Sequence, residues 1–316
     1  MRRNARSSDD PAQISDRGVG DRSLSVQMIV SDGCEDGPMR ILVTNDDGID
    51  SIGLHVLARA ICELDGDHEV HIVAPDQEFS GAGAALGALH LIQPEVRRAR
   101  IDHCPVNACW KVSGPPALCV MFARLGAFGP PFDLIVSGIN PGANVGRSVY
   151  HSGTVGAALT GRNGGISGIA VSQAVTGFGV EGQGWNESIA TQHWESAAAV
   201  AKVIAQSLVD DMPVEPVVVN INVPDVPVEE FGAWQFAEVG KAPPRSMSDA
   251  TLKPIPGHED AFTVEMSWGD AVQLAPDTDG GIIERNDVAI TYLTRLVHHD
   301  RPDLGSISKA LDELMS

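Results

Sequence analysis

Positive charge is scarce in this chain: 22 Lys and Arg stand against 42 Asp and Glu, a formal net charge of -20. A field of that sign repels polyanions and argues against duplex DNA or RNA as a partner. It does not exclude a small phosphorylated substrate, because a local metal ion outweighs a distant acidic surface. Long apolar runs are missing too. No stretch reaches the roughly 18 residues of a membrane span, and no apolar run follows the basic first residues, so neither a membrane partner nor a secretory signal is expected. The five cysteines, Cys34, Cys62, Cys104, Cys109 and Cys119, are odd in number and lack CxxC or Cys/His spacing. A zinc site is therefore not expected, and free thiols in a reducing, cytoplasmic location are. GxxxxGK[ST] and GxSxG do not occur, which sets aside a P-loop and a nucleophile-elbow serine hydrolase. Gly177-Phe-Gly-Val-Glu-Gly182 fits GxGxxG, but Gln183, Gly184, Trp185 and Asn186 follow where a dinucleotide fold needs an apolar helix.

What the chain does have is a full share of core material, 43% of 316 residues hydrophobic, enough for one large domain or a domain with an appendage. Residues 1–38, rich in Ser, Asp, Gly and Arg with one short apolar cluster at 26–30, read as a tail. From Met39 the pattern alternates. Strands are expected at 40–44, 70–74, 133–137, 169–172 and 216–222. Helices are expected after Ser51, after Pro115-Pro116, over 153–161 and over 188–209, with a polar Gly-rich loop over 176–187. Strand, loop, helix, strand, repeated, predicts an α/β fold with a doubly wound, mostly parallel sheet sandwiched by helices. The core is expected over 39–224. From about Asp225 the pattern loosens into a proline-rich extension with scattered strands such as 288–293, suited to oligomerisation, its prolines such as Pro243 and Pro244 favouring an extended arm.

Three polar clusters stand where strands end: Asn45-Asp46-Asp47-Gly48, Ser80-Gly81-Ala82-Gly83 and Asn140-Pro-Gly-Ala-Asn144-Val-Gly146. In an open parallel sheet such loops meet in the crevice beyond the carboxyl ends of the strands. Carboxylates, a hydroxyl and carboxamides, without His or Cys, suit one hard divalent cation such as Mg²⁺ or Mn²⁺. Turn chemistry would use the same residues, but adjacent Asp46 and Asp47 repel unless a cation lies between them. Ser152-Gly153-Thr154 opens a helix, where backbone N–H groups bind anions and where Ser or Thr also serves as a plain cap. The candidate set is Asp46 and Asp47 as catalytic residues, with Asn45, Gly81, Asn144, Ser152, Gly153 and Thr154 around a phosphate. His55, His90, His103 and His151 are scattered; His151 adjoins the Ser152 turn, and a surface or packing role suits it.

At this point the residues resemble those of the stationary-phase survival protein (SurE) family of nucleotidases. The matching segments are Met39-Arg-Ile-Leu-Val-Thr-Asn-Asp-Asp-Gly48, Val73-Ala-Pro-Asp76 with Ser80-Gly81, and Val136-Ser-Gly-Ile-Asn140 with Asn144 and Gly146. Tyr150 to Ala158, Asn220-Ile-Asn-Val-Pro224 and Thr278-Asp279 follow in the family's order. The resemblance implies metal ligands at Asp46, Asp47, Ser80 and Asn140, and hydrolysis of nucleoside 5′- and 3′-monophosphates. It also implies a C-terminal extension that exchanges between subunits of a homodimer or homotetramer. The chain departs from the family pattern at Leu118, at Thr160 and at Ile52, where Asp, Glu and Pro are usual. Two rivals remain: a phospho-aspartyl phosphatase, which needs its two aspartates one residue apart, and a silent nucleotide-binding scaffold.

Overall fold

The computed structural model describes residues 38–89, 91–176, 185–242, 247–298 and 300–316. The expected tail, His90, the Gly177–Gly182 segment and Pro243 and Pro244 lie outside the described residues. The first half of the chain runs β1 Arg40–Thr44, α1 Ile52–Ile61, β2 Glu69–Pro75, β3 Val96–Arg98, β4 Ala108–Val112, α2 Pro116–Arg124, β5 Leu134–Pro141 and α3 Gly153–Asn163. It continues through β6 Ser167–Gln173, α4 Trp185–Ala190, α5 Trp194–Asp210, β7 Val218–Val223, β8 Trp234–Phe236, β9 Met247–Pro254, β10 Phe262–Trp268, α6 Asp279–Ile283, β11 Val288–Leu293 and α7 Gly305–Met315.

The expected α/β fold is the one observed. Nine strands form one sheet in the order β3-β4-β2-β1-β5-β6-β7-β11-β8. Pairing is parallel from β4 through β7; β3 and β11 run antiparallel to their inner neighbours. Successive strand residues point to opposite faces, and β1 shows it. Ile41 and Val43 pack with Leu54, Leu57 and Ile61 of α1 and Ala197 and Ala201 of α5, whereas Leu42 packs with Cys119, Val120 and Ala123 of α2 and Ala157 of α3. The inner strands are buried on both faces, which is why they read as continuous apolar runs.

Local chemistry sets the helix starts. Ser51 Oγ accepts from the Leu54 amide at 3.3 Å and caps α1, and Pro116 occupies the first turn of α2, where its missing N–H costs nothing. The long helix expected over 188–209 is two helices. Between them the His193 amide donates to Asp225 Oδ1 at 2.9 Å and Gln192 Nε2 donates to the Ala174 carbonyl at 3.1 Å, contacts that a continuous helix would forfeit.

Past residue 225 the sheet continues. Antiparallel β11 pairs with β7, Ala289 opposite Asn222, and β8 adds in parallel to β11. Helix α6 is buried along its whole length. In the extension, strands β9 and β10 and helix α7 stand exposed at every residue. Among the described residues, no helix is long and apolar enough to cross a membrane.

Candidate active site

Strand β1 is central and ends at Thr44, so Asn45, Asp46 and Asp47 leave the sheet at its carboxyl edge beside the ends of β2 and β5. Neighbouring strands lie about 4.8 Å apart. Asn140, at the end of β5, therefore emerges beside the Asp pair, Thr44 being level with Ser137.

Asp46 is almost wholly buried, 2% exposed. Its Oδ2 accepts from the Gly153 amide at 3.1 Å and its Oδ1 from Thr154 Oγ1 at 2.5 Å. A Cβ on Gly153 would lie 2.7 Å from both Asp46 Cβ and Oδ2, so only glycine lets the helix start come this close. Burial raises the Asp46 pKa, and the hydrogen bonds from Thr154 and Gly153 oppose that rise only in part. The acceptor at the N-terminus of α3 is thus the Asp46 carboxyl itself. This revises the expected phosphate role of Gly153 and Thr154: their donors already serve a carboxylate. Ser152 Oγ likewise accepts from the Val155 amide at 3.1 Å as the helix cap.

Asp47 is different. Its Oδ2 is buried without a hydrogen-bond partner, and burial, then Asp46, then Glu78 push its pKa up to about 8. Neither carboxylate forms a salt bridge with any described Lys, Arg or His. Asn45 donates from Nδ2 to the Gly48 carbonyl at 3.1 Å and to Ser51 Oγ at 2.7 Å, but its Oδ1 is also buried and unpartnered. Orphaned buried oxygens are costly. Both are acceptors, on Asn45 and Asp47 of the turn that follows β1.

The Ser80 loop is drawn to the same place. The Phe79 amide donates to the Asp46 carbonyl at 2.7 Å and the Gly83 amide to the His151 carbonyl at 2.9 Å. Ser80 and Gly81 are exposed, and Gly81, at φ +80°, has open space where a side chain would stand. Asn140 donates Nδ2 to the Gly142 carbonyl at 2.7 Å, which leaves its Oδ1 as the free acceptor end. The Ser80 loop is thus tied to the Asp46 backbone and Asn140 ends the strand beside β1; as chemistry, two carboxylates, a hydroxyl and a carboxamide would suit a hard divalent cation. Among the described residues, no group of three or more His, Cys, Asp or Glu is arranged to hold a metal, so neutral oxygens have to complete such a shell.

Asn144 also departs from its expected role. Its Nδ2 donates to Ser172 Oγ at 2.8 Å, its amide to Asn222 Oδ1 at 2.7 Å, and its carbonyl accepts from Asn220 and Asn222 at 3.1 and 3.2 Å. It holds the loop to β6 and β7 through its amide, its carbonyl and one Nδ2 bond. Asn220 and Asn222 were legible as two polar residues in an otherwise apolar strand, a pattern that calls for a buried partner. At the departures from the family pattern, Leu118 is fully buried and Thr160 returns its hydroxyl to the Gly156 carbonyl at 2.7 Å.

The model of the family described as survival protein SurE matches residues 41–245. A 5′-nucleotidase SurE of Stenotrophomonas maltophilia (strain K279a) is 33% identical over 286 residues, 87% of this chain and 99% of the relative. One of Legionella pneumophila (strain Corby) is 38% identical over 202 residues, 64% of this chain and 71% of its own length. The crystal structure of a SurE protein from Aquifex aeolicus superposes with a TM-score of 0.65 at 26% identity, covering 88% of this chain and all 100% of that one.

Proposed function

Because the chain belongs to the survival protein SurE family, we propose that it is a metal-dependent phosphomonoesterase that hydrolyses nucleoside 5′-monophosphates, and 3′-monophosphates as well, to nucleoside and phosphate. The observation that carries this reading is the adjacent pair of buried Asp46 and half-buried Asp47, unpaired by any described Lys, Arg or His, with the Asp47 Oδ2 atom orphaned. Two relatives named 5′-nucleotidase support the substrate class.

Asp46, Asp47, Ser80 and Asn140 would hold one Mg²⁺ or Mn²⁺. Bound there, such an ion supplies Lewis acidity toward a phosphoryl oxygen and makes a water nucleophilic near neutral pH. The chain's residues do the rest. Gly153 and Thr154 fix one rotamer of Asp46, so the carboxylate needs no reordering during the reaction. The exposed Ser80 hydroxyl and the open backbone at Gly81 face the phosphoryl group with donors. The Asn144 network keeps Asn140 at the edge of the sheet.

The same reading makes the protein a homodimer or homotetramer. An apolar groove of about 820 Å³, lined among others by Val203, Ile204, Leu208, Trp234, Phe236 and Tyr292, opens between α5 and the β8–β11 edge. Helix α7 exposes Ile307, Leu311, Leu314 and Met315, one apolar stripe at helical spacing without a seat in its own subunit. A cytoplasmic location accords with Cys62, Cys104, Cys109 and Cys119 being free thiols. The test is phosphate release from AMP and from 3′-AMP with Mn²⁺, with Mg²⁺ and with chelator. Release that requires the ion supports the reading; no release from any phosphomonoester with either ion leaves the silent scaffold in its place.

A further inference from the structure

Among the described residues of the C-terminal segment, Asp279 is the one carboxylate with no solvent exposure at all. It stands at the start of α6, where Thr278 Oγ1 caps the turn by accepting from the Gly281 amide at 3.3 Å. The Asp279 carboxylate has three backbone donors from three places. Oδ2 accepts from the Gly146 amide at 2.9 Å, and Oδ1 accepts from the Gly240 amide at 2.9 Å and the Gly280 amide at 2.8 Å. Its own amide donates to the Glu238 carbonyl at 2.9 Å. Such a set holds a buried charge without a cation.

Gly146 is the important partner. It follows the Asn140–Asn144 loop and opens the short 3-10 turn Gly146–Tyr150, which leads to the Ser152 cap and to the Gly153 and Thr154 donors on Asp46. At φ +56° its absent Cβ would lie 2.6 Å from the Ala242 backbone, so the 240–242 strap presses directly on it. A Cβ on Gly280 would in turn meet Val145 at 3.5 Å. The C-terminal segment therefore grips the chain at the joint between the two halves of the candidate site.

We propose that Asp279 is a positioning residue for that site: through the Gly146 amide it fixes the 140–154 segment, and so both Asn140 and the Gly153–Thr154 cradle of Asp46. The inference rests on the nucleotidase reading for its catalytic consequence, but the anchoring itself does not. The C-terminal segment then does more than assemble subunits, because a disturbance at α6 reaches the ligands through one carboxylate.

The test compares Asp279→Asn with Asp287→Asn in the full chain. Asp287 is a matched control: it too is buried and accepts a backbone amide, from Ala233 at 2.7 Å, and a side chain, from Gln235 at 2.7 Å, without touching the loop. In Asp279→Asn the volume is kept while an amide NH₂ replaces one acceptor. Hydrogen exchange at amides 142–153 is expected to speed up about 10-fold or more, the scale of one lost charged hydrogen bond. The Mn²⁺ concentration giving half-maximal thermal shift should rise by about the same factor. In Asp287→Asn both should stay at the wild-type value even where the melting temperature falls. If Asp279→Asn does not fold, Thr278→Ala, which removes the cap of α6 and the hydroxyl's bond to the Ala275 carbonyl, should speed exchange at the same amides about 3-fold. Unchanged exchange at 142–153 in the folded variant overturns the inference, whatever the activity. Faster exchange in the variant, when the wild type itself shows no phosphatase activity, keeps the anchor and removes the nucleotidase reading instead.

Discussion

Thr154 donates its hydroxyl to Asp46 across 108 positions of sequence, at 2.5 Å and with both side chains buried. The bond joins the end of β1 to the start of α3, and with the Gly153 amide donating to Oδ2 it gives each Asp46 carboxyl oxygen one hydrogen bond. A helix N-terminus that would otherwise draw in a substrate anion is spent on holding a carboxylate still.

That spending predicts a graded response at Thr154. Thr154→Val keeps the shape and removes the donor from a charged acceptor, a loss of about 1.5–3 kcal/mol. Turnover should fall about 10- to 100-fold. Thr154→Ser, which retains the hydroxyl, should stay within about 3-fold of wild type. Equal rates in Val and Ser variants would show that Asp46 does not depend on this bond. Initial rates of phosphate release, at saturating metal, make the comparison.

The Asp47 carboxyl predicts a pH dependence of stability in the metal-free protein. Its pKa is about 8 in the fold against an ordinary 3.8. A raised carboxyl binds its proton more tightly folded than unfolded, so its contribution is fully present below the unfolded value and is lost as pH rises toward 8. In chelator, the melting temperature of wild type relative to Asp47→Asn should therefore decline from pH 4 to pH 8, with Asn the more stable at the upper end. Mn²⁺ should raise the wild-type melting temperature at pH 8 and leave Asp47→Asn nearly unmoved. A difference between the two proteins that is flat with pH removes the buried-carboxyl argument.

Helix α7 and the apolar groove predict the assembly. Leu311→Glu places a charge in the middle of the stripe formed by Ile307, Leu311 and Leu314. It should lower the oligomeric state in light scattering, while far-UV circular dichroism stays unchanged, because α7 buries no residue in its own subunit. An oligomer unaffected by Leu311→Glu and by removal of 305–316 assigns assembly to another surface.

Much of this was legible in the sequence, and for definite reasons. The inner strands are apolar on both faces, so runs such as Ile41-Leu-Val43 announce themselves, and the Asp46–Asp47 pair follows one of them at the carboxyl edge of the sheet. Strands β3 and β4 were not legible: Val96-Arg-Arg98 is a charged edge strand, and Ala108-Cys-Trp-Lys-Val112 lacks a clear period. Edge strands carry such charges to avoid pairing with other chains. The roles of Asn144 and Gly153 were hidden because composition marks a polar residue without saying which way it bonds. Asn144 turned inward to Ser172 and Asn222, and the Gly153 amide to Asp46. Asp279 could be seen only as part of a familiar Thr-Asp pattern, since its partners Gly146 and Gly240 are far off in sequence.

The central claim is that a divalent ion held by Asp46 and Asp47 drives phosphate-ester hydrolysis. Its most direct measurement is the rate of phosphate release from AMP by wild type, Asp46→Ala and Asp47→Ala, each titrated with Mn²⁺ from a chelated start. The account predicts no release in chelator and full recovery of wild type with the ion. It also predicts a loss of at least about 10²-fold in either variant at any ion concentration, the scale for removing one preorganised electrostatic partner. Wild-type turnover in chelator, or an Asp47→Ala protein as fast as wild type, would contradict it.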